Sequence, residues 1–185
     1  MAAPQNVIVR IAHFPQDIGA VESLDFSIVA PNVLRVDVGA RSFTLTESKL
    51  ALPTRKNYEI DTLLEFQQNP LASSFVAELA GQIVGFAAGR LHTWNRRYEV
   101  CHLYVDRVHR GHGTGKRLLS ALQTEAIQRN CRQIWAETQN TNPDAVNFYE
   151  NCGFRFCGFD DSLYDGLSET ALFFCRDLPG LTLEP

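Results

Sequence analysis

The order of apolar and polar residues predicts strands and short helices in the first third of the chain. "NVIVRIA" is typical of a first strand, and the stretch from Asp17 to Asp25 predicts a first helix. "VLRVDVGA" and "SFTLTESKL" alternate apolar and polar residues and contain many β-branched side chains, which predicts two short strands. "ALPTRKNYEID" contains turn-forming residues without a period, so we expect a loop there, before a short helix around Thr62 to Gln68.

The rest of the chain alternates clearer strands and helices. "SFVAELAGQIVGFAAGRLHTW" has two apolar runs separated at "AGQ", which predicts a β-hairpin, and "RRYEVCHLYVD" predicts a further strand. Beyond a glycine-rich segment, Leu118, Leu119, Leu122 and Ala126 follow helical spacing. "RQIWAETQ" and "TALFFCRDL" predict strands, and "NPDAVNFYENCG" predicts a helix with proline near its start and glycine after its end. We therefore predict a mixed α/β fold.

Composition narrows the class of protein. The chain has 185 residues, of which 45% are hydrophobic and 21% charged, and this predicts a single globular domain over residues 1–185. The formal charge of -4 argues against a nucleic-acid binder and is compatible with a cationic small molecule. We find no signal peptide and no apolar run of about 18 to 20 residues, so we expect a soluble cytoplasmic protein that does not bind membranes. The five scattered cysteines form no C-x-x-C pair, so we expect reduced, buried thiols and no metal site.

The segment "VHRGHGTGKRLLSAL" has the features of an anion-binding loop. A helix N-terminus presents unpaired backbone N–H groups and about half a positive charge, and glycines let an anion approach the backbone. The neighbouring Arg110 and Lys116 add positive charge. The glycine spacing, G-x-G-x-G, fits neither a P-loop nor a dinucleotide fingerprint. A tight turn joining a strand to a helix is the structural alternative.

Two motifs resemble the signatures of the GNAT superfamily of N-acetyltransferases. "RGHGTG", from Arg110 to Gly115, resembles the R/Q-x-x-G-x-G/A signature, and "ETQNTNPDAVNFYENCGFRFCGF" resembles the second signature. The resemblance covers roughly residues 74–177. It implies a single GNAT-type domain with a mixed, mostly antiparallel central sheet flanked by helices, and acetyl-CoA as the cosubstrate.

Further segments resemble one branch of these enzymes. "VLRVDVGARSFTL", "TWNRR", "HRGHG" and "CGFDDSLYDG" are similar to segments of streptothricin (nourseothricin) acetyltransferases, which are antibiotic-resistance enzymes. Those enzymes carry adjacent acidic residues where this chain has Cys101 and His102. The resemblance implies direct acetyl transfer, in a ternary complex, to a primary amine of a small cationic molecule such as a streptothricin-like antibiotic.

Other functions remain open on the sequence. The acceptor amine could belong to an aminoglycoside, a polyamine, or a protein N-terminus or lysine. In a different class, the chain could be an acetyl-CoA-binding sensor without turnover, although retention of Glu99, Glu137 and Tyr149 argues against this. Either a monomer or a homodimer is compatible with the sequence.

The resemblance also implies cofactor contacts. Backbone groups of Leu103, Tyr104 and Val105 would bind the pantetheine arm. Asn142 would contact the cofactor through its side chain, or cap the following helix, or do both. The pyrophosphate would bind the glycine loop, made of Arg110, Gly111, His112, Gly113, Thr114, Gly115 and Lys116.

Catalysis requires a base for the amine and an acid for the leaving thiolate. The resemblance implies Tyr149 as the acid, with Glu137 as its leading partner and Glu99 as the second candidate base. A regular strand would place Glu99 and His102 on opposite faces, unless a β-bulge intervenes.

Further candidates for substrate contact are His102 and the acidic residues after the second signature. His102 could replace an acidic base or contact the acceptor, whereas Asp160 and Asp161, with Asp165, could attract a cation or form a solvated loop. Nothing beside Cys101 indicates an activated thiol, so we do not expect an acetyl-cysteine intermediate.

Overall fold

The computed structural model describes residues 6–58, 60, 63–165 and 169–179, and the chain divides into two compact units. The first unit comprises Met1–Phe26, Tyr58–Ile134 and Asp177–Pro185. The second comprises Ser27–Asn57 and Trp135–Arg176. Each unit is assembled from separated stretches of chain, and the single domain expected over residues 1–185 stays a prediction.

The described part of the first unit contains antiparallel strands and three α-helices. The elements, numbered along the whole chain, are β1 (Ile8–Ile11), α1 (Ile18–Glu22), α2 (Leu63–Gln68), β4 (Ala72–Leu79), β5 (Gln82–His92), β6 (Arg97–Val105) and α3 (Thr114–Gln128). The strands follow the order β1-β4-β5-β6, and a 3-10 helix, Arg107–His109, separates β6 from the glycine loop.

Helices cover both faces of these strands because β5 is apolar on both faces. Phe86 and Ala88 belong to a buried cluster with residues of α1 and α2. Gly85 points to the opposite face, where a Cβ atom would come within 3.0 Å of Leu118 on α3. The four apolar residues that predicted α3 are all buried, at 2% exposure or less. The 3.6-residue period therefore identified the face of α3 that packs on the strands.

The second unit contains a long two-stranded ribbon and a group of three strands with one helix. The ribbon is antiparallel, and the other strands follow the order β7-β9-β8. Strand β7 begins with two residues that belong to the first unit. The elements are β2 (Ile28–Val38), β3 (Phe43–Lys56), β7 (Gln133–Gln139), α4 (Pro143–Asn151), β8 (Arg155–Asp160) and β9 (Ala171–Asp177).

The structure corrects one expectation about secondary structure and adds one strand. The loop expected over residues 51–61 is wrong for residues 51–56, which continue β3, and residues 54–56 pair with the start of β2. Pro31 and Pro53 lie at the register shift of this ribbon, where the ladder is interrupted and no backbone donor is needed. Strand β8 was not predicted. The expected hairpin at "AGQ" is confirmed. Thr62, the expected start of α2, lies outside the described residues.

Candidate functional site

The glycine loop of the first unit has the backbone geometry expected of an anion cradle. Gly111 and Gly113 adopt φ angles of +81° and +85°, a left-handed conformation that glycine adopts without a steric penalty. A Cβ atom at either position would meet no atom of the described residues within 4 Å, so the space that these residues leave beside both glycines is open. The N–H of Arg117 donates to the carbonyl oxygen of Gly113 at 3.2 Å. The N–H groups that precede it lie in the first turn of α3, where a helix offers donors to an anion.

Thr114, the first residue of α3, carries a polar atom that fits a bound phosphate. Its side chain is only 2% exposed. Among the residues that the structure describes, its Oγ1 atom has no hydrogen-bond partner. Because an unsatisfied buried hydroxyl costs about 1–3 kcal/mol, an oxygen-rich ligand at the helix terminus would relieve this penalty. The loop therefore fits the pyrophosphate of acetyl-CoA.

The glycine loop is braced by the residues that follow α1. Asp106 accepts hydrogen bonds from the N–H groups of Asp25 (3.0 Å) and Val108 (3.1 Å). Arg110 donates through Nε to the carbonyl oxygen of Val105 at 2.9 Å and through Nη2 to that of Asp25 at 3.4 Å. The Arg110 guanidinium therefore holds the loop in place, and its expected contribution of charge at the phosphate stays a prediction. Lys116 is exposed.

Strand β6 carries a β-bulge at Cys101. On β5, Ala88 pairs with His102 while the adjacent Gly89 pairs with Val100, which leaves Cys101 as the extra residue. Arg90, two positions from Ala88 and therefore on the same face, pairs with Glu99. The bulge thus places Glu99 and His102 on one face, contrary to the expectation for a regular strand.

These two side chains are held in different ways. The Glu99 Oε2 atom accepts from Arg90 Nε and contacts His92 Nε2, both at 2.7 Å. This ion pair between Arg90 and Glu99 links β5 to β6, which is a structural role for Glu99. The ring of His102 packs against several aromatic rings. Its centroid lies 5.1 Å from that of Phe66, and the two rings are edge to face. His102 therefore has an aromatic environment as well as its candidate role at the acceptor.

The cysteines are free thiols that differ in exposure. Cys131 and Cys175 are buried, as expected, Cys101 and Cys152 are half-buried, and Cys157 is exposed. Burial, reinforced by the nearby Glu99 carboxylate, raises the pKa of the Cys101 thiol to about 12.

Helix α4 of the second unit carries two of the predicted residues. The Asn142 side chain accepts a hydrogen bond at 3.1 Å from the N–H of Ala145, so the expected N-cap is confirmed. Tyr149 is 6% exposed. Its ring contacts Phe154 at a centroid distance of 5.3 Å and lies nearly parallel to Phe174 at 6.2 Å. These rings fix the plane of Tyr149.

Glu137 has a partner that the sequence did not indicate. Its Oε1 atom accepts a hydrogen bond from the hydroxyl of Tyr164, which lies in the segment after β8. Burial raises the pKa of Tyr164 well above its ordinary value, and the bond to Glu137 raises it further. Tyr164 thus stays protonated and donates to the carboxylate.

The acidic residues at the end of β8 and after it mainly organise a turn. Asp160 Oδ1 accepts from the N–H and the hydroxyl of Ser162, both at 2.8 Å. These hydrogen bonds lower the pKa of Asp160. Asp161 and Asp165 are exposed. The exposure of these residues agrees with a solvated loop, one of the two alternatives that the sequence predicts. The hydrogen bonds from Ser162 keep Asp160 negatively charged.

Comparison with known proteins identifies the family. Residues 43–154 match the model of the acetyltransferase (GNAT) family. The chain belongs to the GNAT acetyltransferase family. It is 33% identical over 174 residues to the streptothricin acetyltransferase of Streptomyces lavendulae, which covers 89% of this chain and 92% of that protein. Among solved structures, nourseothricin acetyltransferase matches with a TM-score of 0.84 and 33% identity over 94% of this chain and 99% of that one.

A second structure adds the cofactor. A Bacillus anthracis str. Ames protein, provisionally described as a streptothricin acetyltransferase and solved in complex with acetyl coenzyme A, matches with a TM-score of 0.83. It is 27% identical, over 94% of this chain and 100% of that one. These findings confirm the predicted GNAT fold, with its mainly antiparallel sheet flanked by helices, and the prediction of an acetyl-CoA-dependent N-acetyltransferase.

The positions of the remaining GNAT candidates follow from β6. Leu103, Tyr104 and Val105 pair through their backbones with residues of β5, and the Val105 carbonyl also accepts from Arg110.

Within the described ranges, no group of three or more metal-ligating side chains occurs. The helices of the described residues include none that is long and apolar enough to cross a membrane.

Sequence reasoning missed the bracing residues Asp25 and Asp106, and it missed Tyr164 as the partner of Glu137. An aspartate directly before "RVHRG" is a capping signal that could have indicated the role of Asp106. Nothing local indicates the other two residues, because each contact joins distant parts of the chain.

Proposed function

We propose that this chain transfers the acetyl group of acetyl-CoA to a primary amine of a streptothricin-like antibiotic. The similarity to the Streptomyces lavendulae enzyme carries this proposal, because it extends over 89% of the chain, well beyond the residues that match the family model. The formal charge of -4 favours a cationic acceptor.

The proposal assigns the donor to the first unit. The N–H groups of residues 111–116 bind the pyrophosphate, with the Thr114 hydroxyl as an additional donor and Lys116 as a neighbouring positive charge. Backbone groups of residues 103–105 bind the pantetheine arm. The open space beside Gly111 and Gly113 supports this assignment, because a phosphate needs close approach to the backbone. In the second unit, Asn142 caps α4 and contacts the cofactor.

The proposal assigns proton transfer to the second unit. A lysine-like amine has a pKa near 10.4, so its deprotonation at pH 7 costs roughly 4–5 kcal/mol. Glu137 takes this proton, directly or through water, and the nitrogen attacks the thioester carbonyl. Tyr149 then donates a proton to the thiolate of coenzyme A as the carbon–sulfur bond breaks. Transfer is direct: a Cys101 thiol with a pKa of about 12 keeps its proton at neutral pH and is a poor nucleophile.

The remaining candidates are assigned supporting roles. Glu99 is the second candidate base, but its ion pair with Arg90 favours a structural role. Asp160 and Asp161 attract the cationic acceptor through their charge, and His102 contacts it. We keep the expectation of a cytoplasmic monomer or homodimer, and light scattering after size-exclusion chromatography distinguishes these two states.

An acceptor panel tests the proposal. Purified protein is incubated with acetyl-CoA and with streptothricin, aminoglycosides, polyamines or short peptides, while thiol release is measured. We expect the highest kcat/KM with streptothricin, and mass spectrometry of the product locates the acetylated amine. A higher kcat/KM with another amine would contradict the proposed acceptor. Tight acetyl-CoA binding without thiol release for any amine would contradict turnover itself. A Tyr149→Phe variant provides the control for non-enzymatic acetylation.

A further inference from the structure

Tyr164 is held to one face of β7 by Glu137. Its hydroxyl donates to Oε1 of Glu137 and lies near enough to the side chain of Gln139 to interact with it. Glu137 and Gln139 are two positions apart on β7, so they point to the same face. The phenol therefore spans two neighbouring positions of that face, and one of them is the proposed base.

The charges around this phenol make it a permanent donor. Burial and the Glu137 carboxylate both raise the pKa of Tyr164, and Glu169 contributes in the same direction. Glu169 is itself bound by Lys56 Nζ at 2.5 and 2.7 Å and by the hydroxyl of Thr141. Lys56 thus offsets the charge of Glu169, whereas the Tyr164 hydroxyl is directed to Glu137.

We propose that Tyr164 is a positioning residue, which orients the Glu137 carboxylate and favours its ionised form so that Glu137 can accept the proton of the acceptor amine. This inference rests on the role proposed for Glu137 above. A hydrogen bond to an ionised acceptor is shorter and stronger than one between neutral groups, and it favours the charged form. It also restricts the rotation of the carboxylate. Tyr164 touches neither donor nor acceptor in this scheme, and acts through Glu137.

Tyr164→Phe tests the inference, because the ring is kept and only the hydroxyl is removed. We expect the midpoint of the acidic limb of the kcat/KM profile to shift to higher pH by about one unit. The shift results from the loss of one charge-assisted hydrogen bond to the Glu137 carboxylate. Turnover falls over the pH range of the acidic limb and recovers at higher pH, while the Kd for acetyl-CoA is unchanged. A uniform loss of activity at every pH, or a profile identical to that of the wild type, would overturn the inference.

Tyr98→Phe is the matched control. Tyr98 is a fully buried tyrosine of β6, and among the described residues its hydroxyl has no hydrogen-bond partner. Because its removal breaks no hydrogen bond to a carboxylate, Tyr98→Phe leaves the pH profile in place. A shift of the profile in Tyr98→Phe equal to that in Tyr164→Phe would show that the effect is general and would refute the positioning role.

A second measurement separates this inference from the proposed function. Carbon-13 NMR of labelled glutamate carboxyl groups, with Glu137→Gln used for assignment, measures the titration of Glu137 without turnover. We expect its midpoint to rise in Tyr164→Phe by about one pH unit. An unchanged midpoint would refute the inference about Tyr164. If the midpoint rises but Glu137→Gln keeps full turnover, the role of Glu137 as the base is wrong instead.

Discussion

The conformation of Gly113 offers a direct test of the glycine loop. Gly113 caps α3 with φ of +85° and ψ of 0°, and no atom lies within 4 Å of a Cβ placed on it. Substitution by alanine therefore adds no clash within the protein. It adds the strain of a left-handed L-residue and a methyl group in the space assigned to the pyrophosphate.

The strain can be measured separately from the loss of ligand binding because the chain contains a matched glycine. Gly81, in the β4–β5 hairpin, has φ of +80° and equally open space. An L-residue in this conformation costs roughly 1–2 kcal/mol, so Gly113→Ala and Gly81→Ala should lower the free energy of unfolding by similar amounts. If the Gly113 methyl also obstructs the phosphate, that variant alone should lose at least about 1.4 kcal/mol of binding free energy, or tenfold in Kd.

Two assays measure these quantities. Urea denaturation gives the free energy of unfolding of each variant, and isothermal titration calorimetry gives the Kd for acetyl-CoA. We expect equal losses of stability and a weaker Kd only in Gly113→Ala. Wild-type affinity in Gly113→Ala, or an equal loss of affinity in Gly81→Ala, would refute the assignment of the loop to the pyrophosphate.

Four further outcomes follow from the structure. Tyr149→Phe should lower kcat by about 100-fold or more, measured by thiol release, and leave the acetyl-CoA Kd within about twofold, measured by calorimetry. An unchanged kcat would exclude Tyr149 as the acid. Glu99→Gln should keep kcat within about threefold and lower Tm, because the carboxylate already serves an ion pair; a large loss of kcat would restore it as the base. Thr114→Val removes a buried hydroxyl that has no partner among the described residues, so the urea midpoint of unfolding should stay the same or rise. The affinity for acetyl-CoA should become weaker. A lower urea midpoint would show that the hydroxyl already has a hydrogen-bond partner. Because burial shields the Cys101 thiol and raises its pKa, iodoacetamide at pH 8 should label exposed Cys157 much faster than Cys101, as followed by peptide mass spectrometry; equal labelling rates would contradict the shielded, protonated state of Cys101.

The success of the sequence predictions depended on how local each signal was. The α3 and α4 helices could be predicted because their signals are local. The apolar period lies within α3, and the glycines before α3 and the Asn142-Pro143 start of α4 adjoin the helices. The extension of β3 through Lys56 could not, since its turn-forming residues are held as a strand only by pairing with β2. Strand β8 pairs with β9 in the same way.

For the site, the sequence by itself indicated an anion-binding loop, and the resemblance of its motifs to the GNAT signatures implied acetyl-CoA as the donor. The spacing of three glycines after a strand and before an apolar helix specifies a bare backbone at a helix terminus, and both the motif and its geometry are local. Only the tertiary structure decided how the candidate bases are held. The bulge at Cys101 brought Glu99 to the face of His102, and Tyr164 was brought to Glu137. Bulges and contacts between distant residues depend on strand register and packing, which the side-chain period of one segment does not specify.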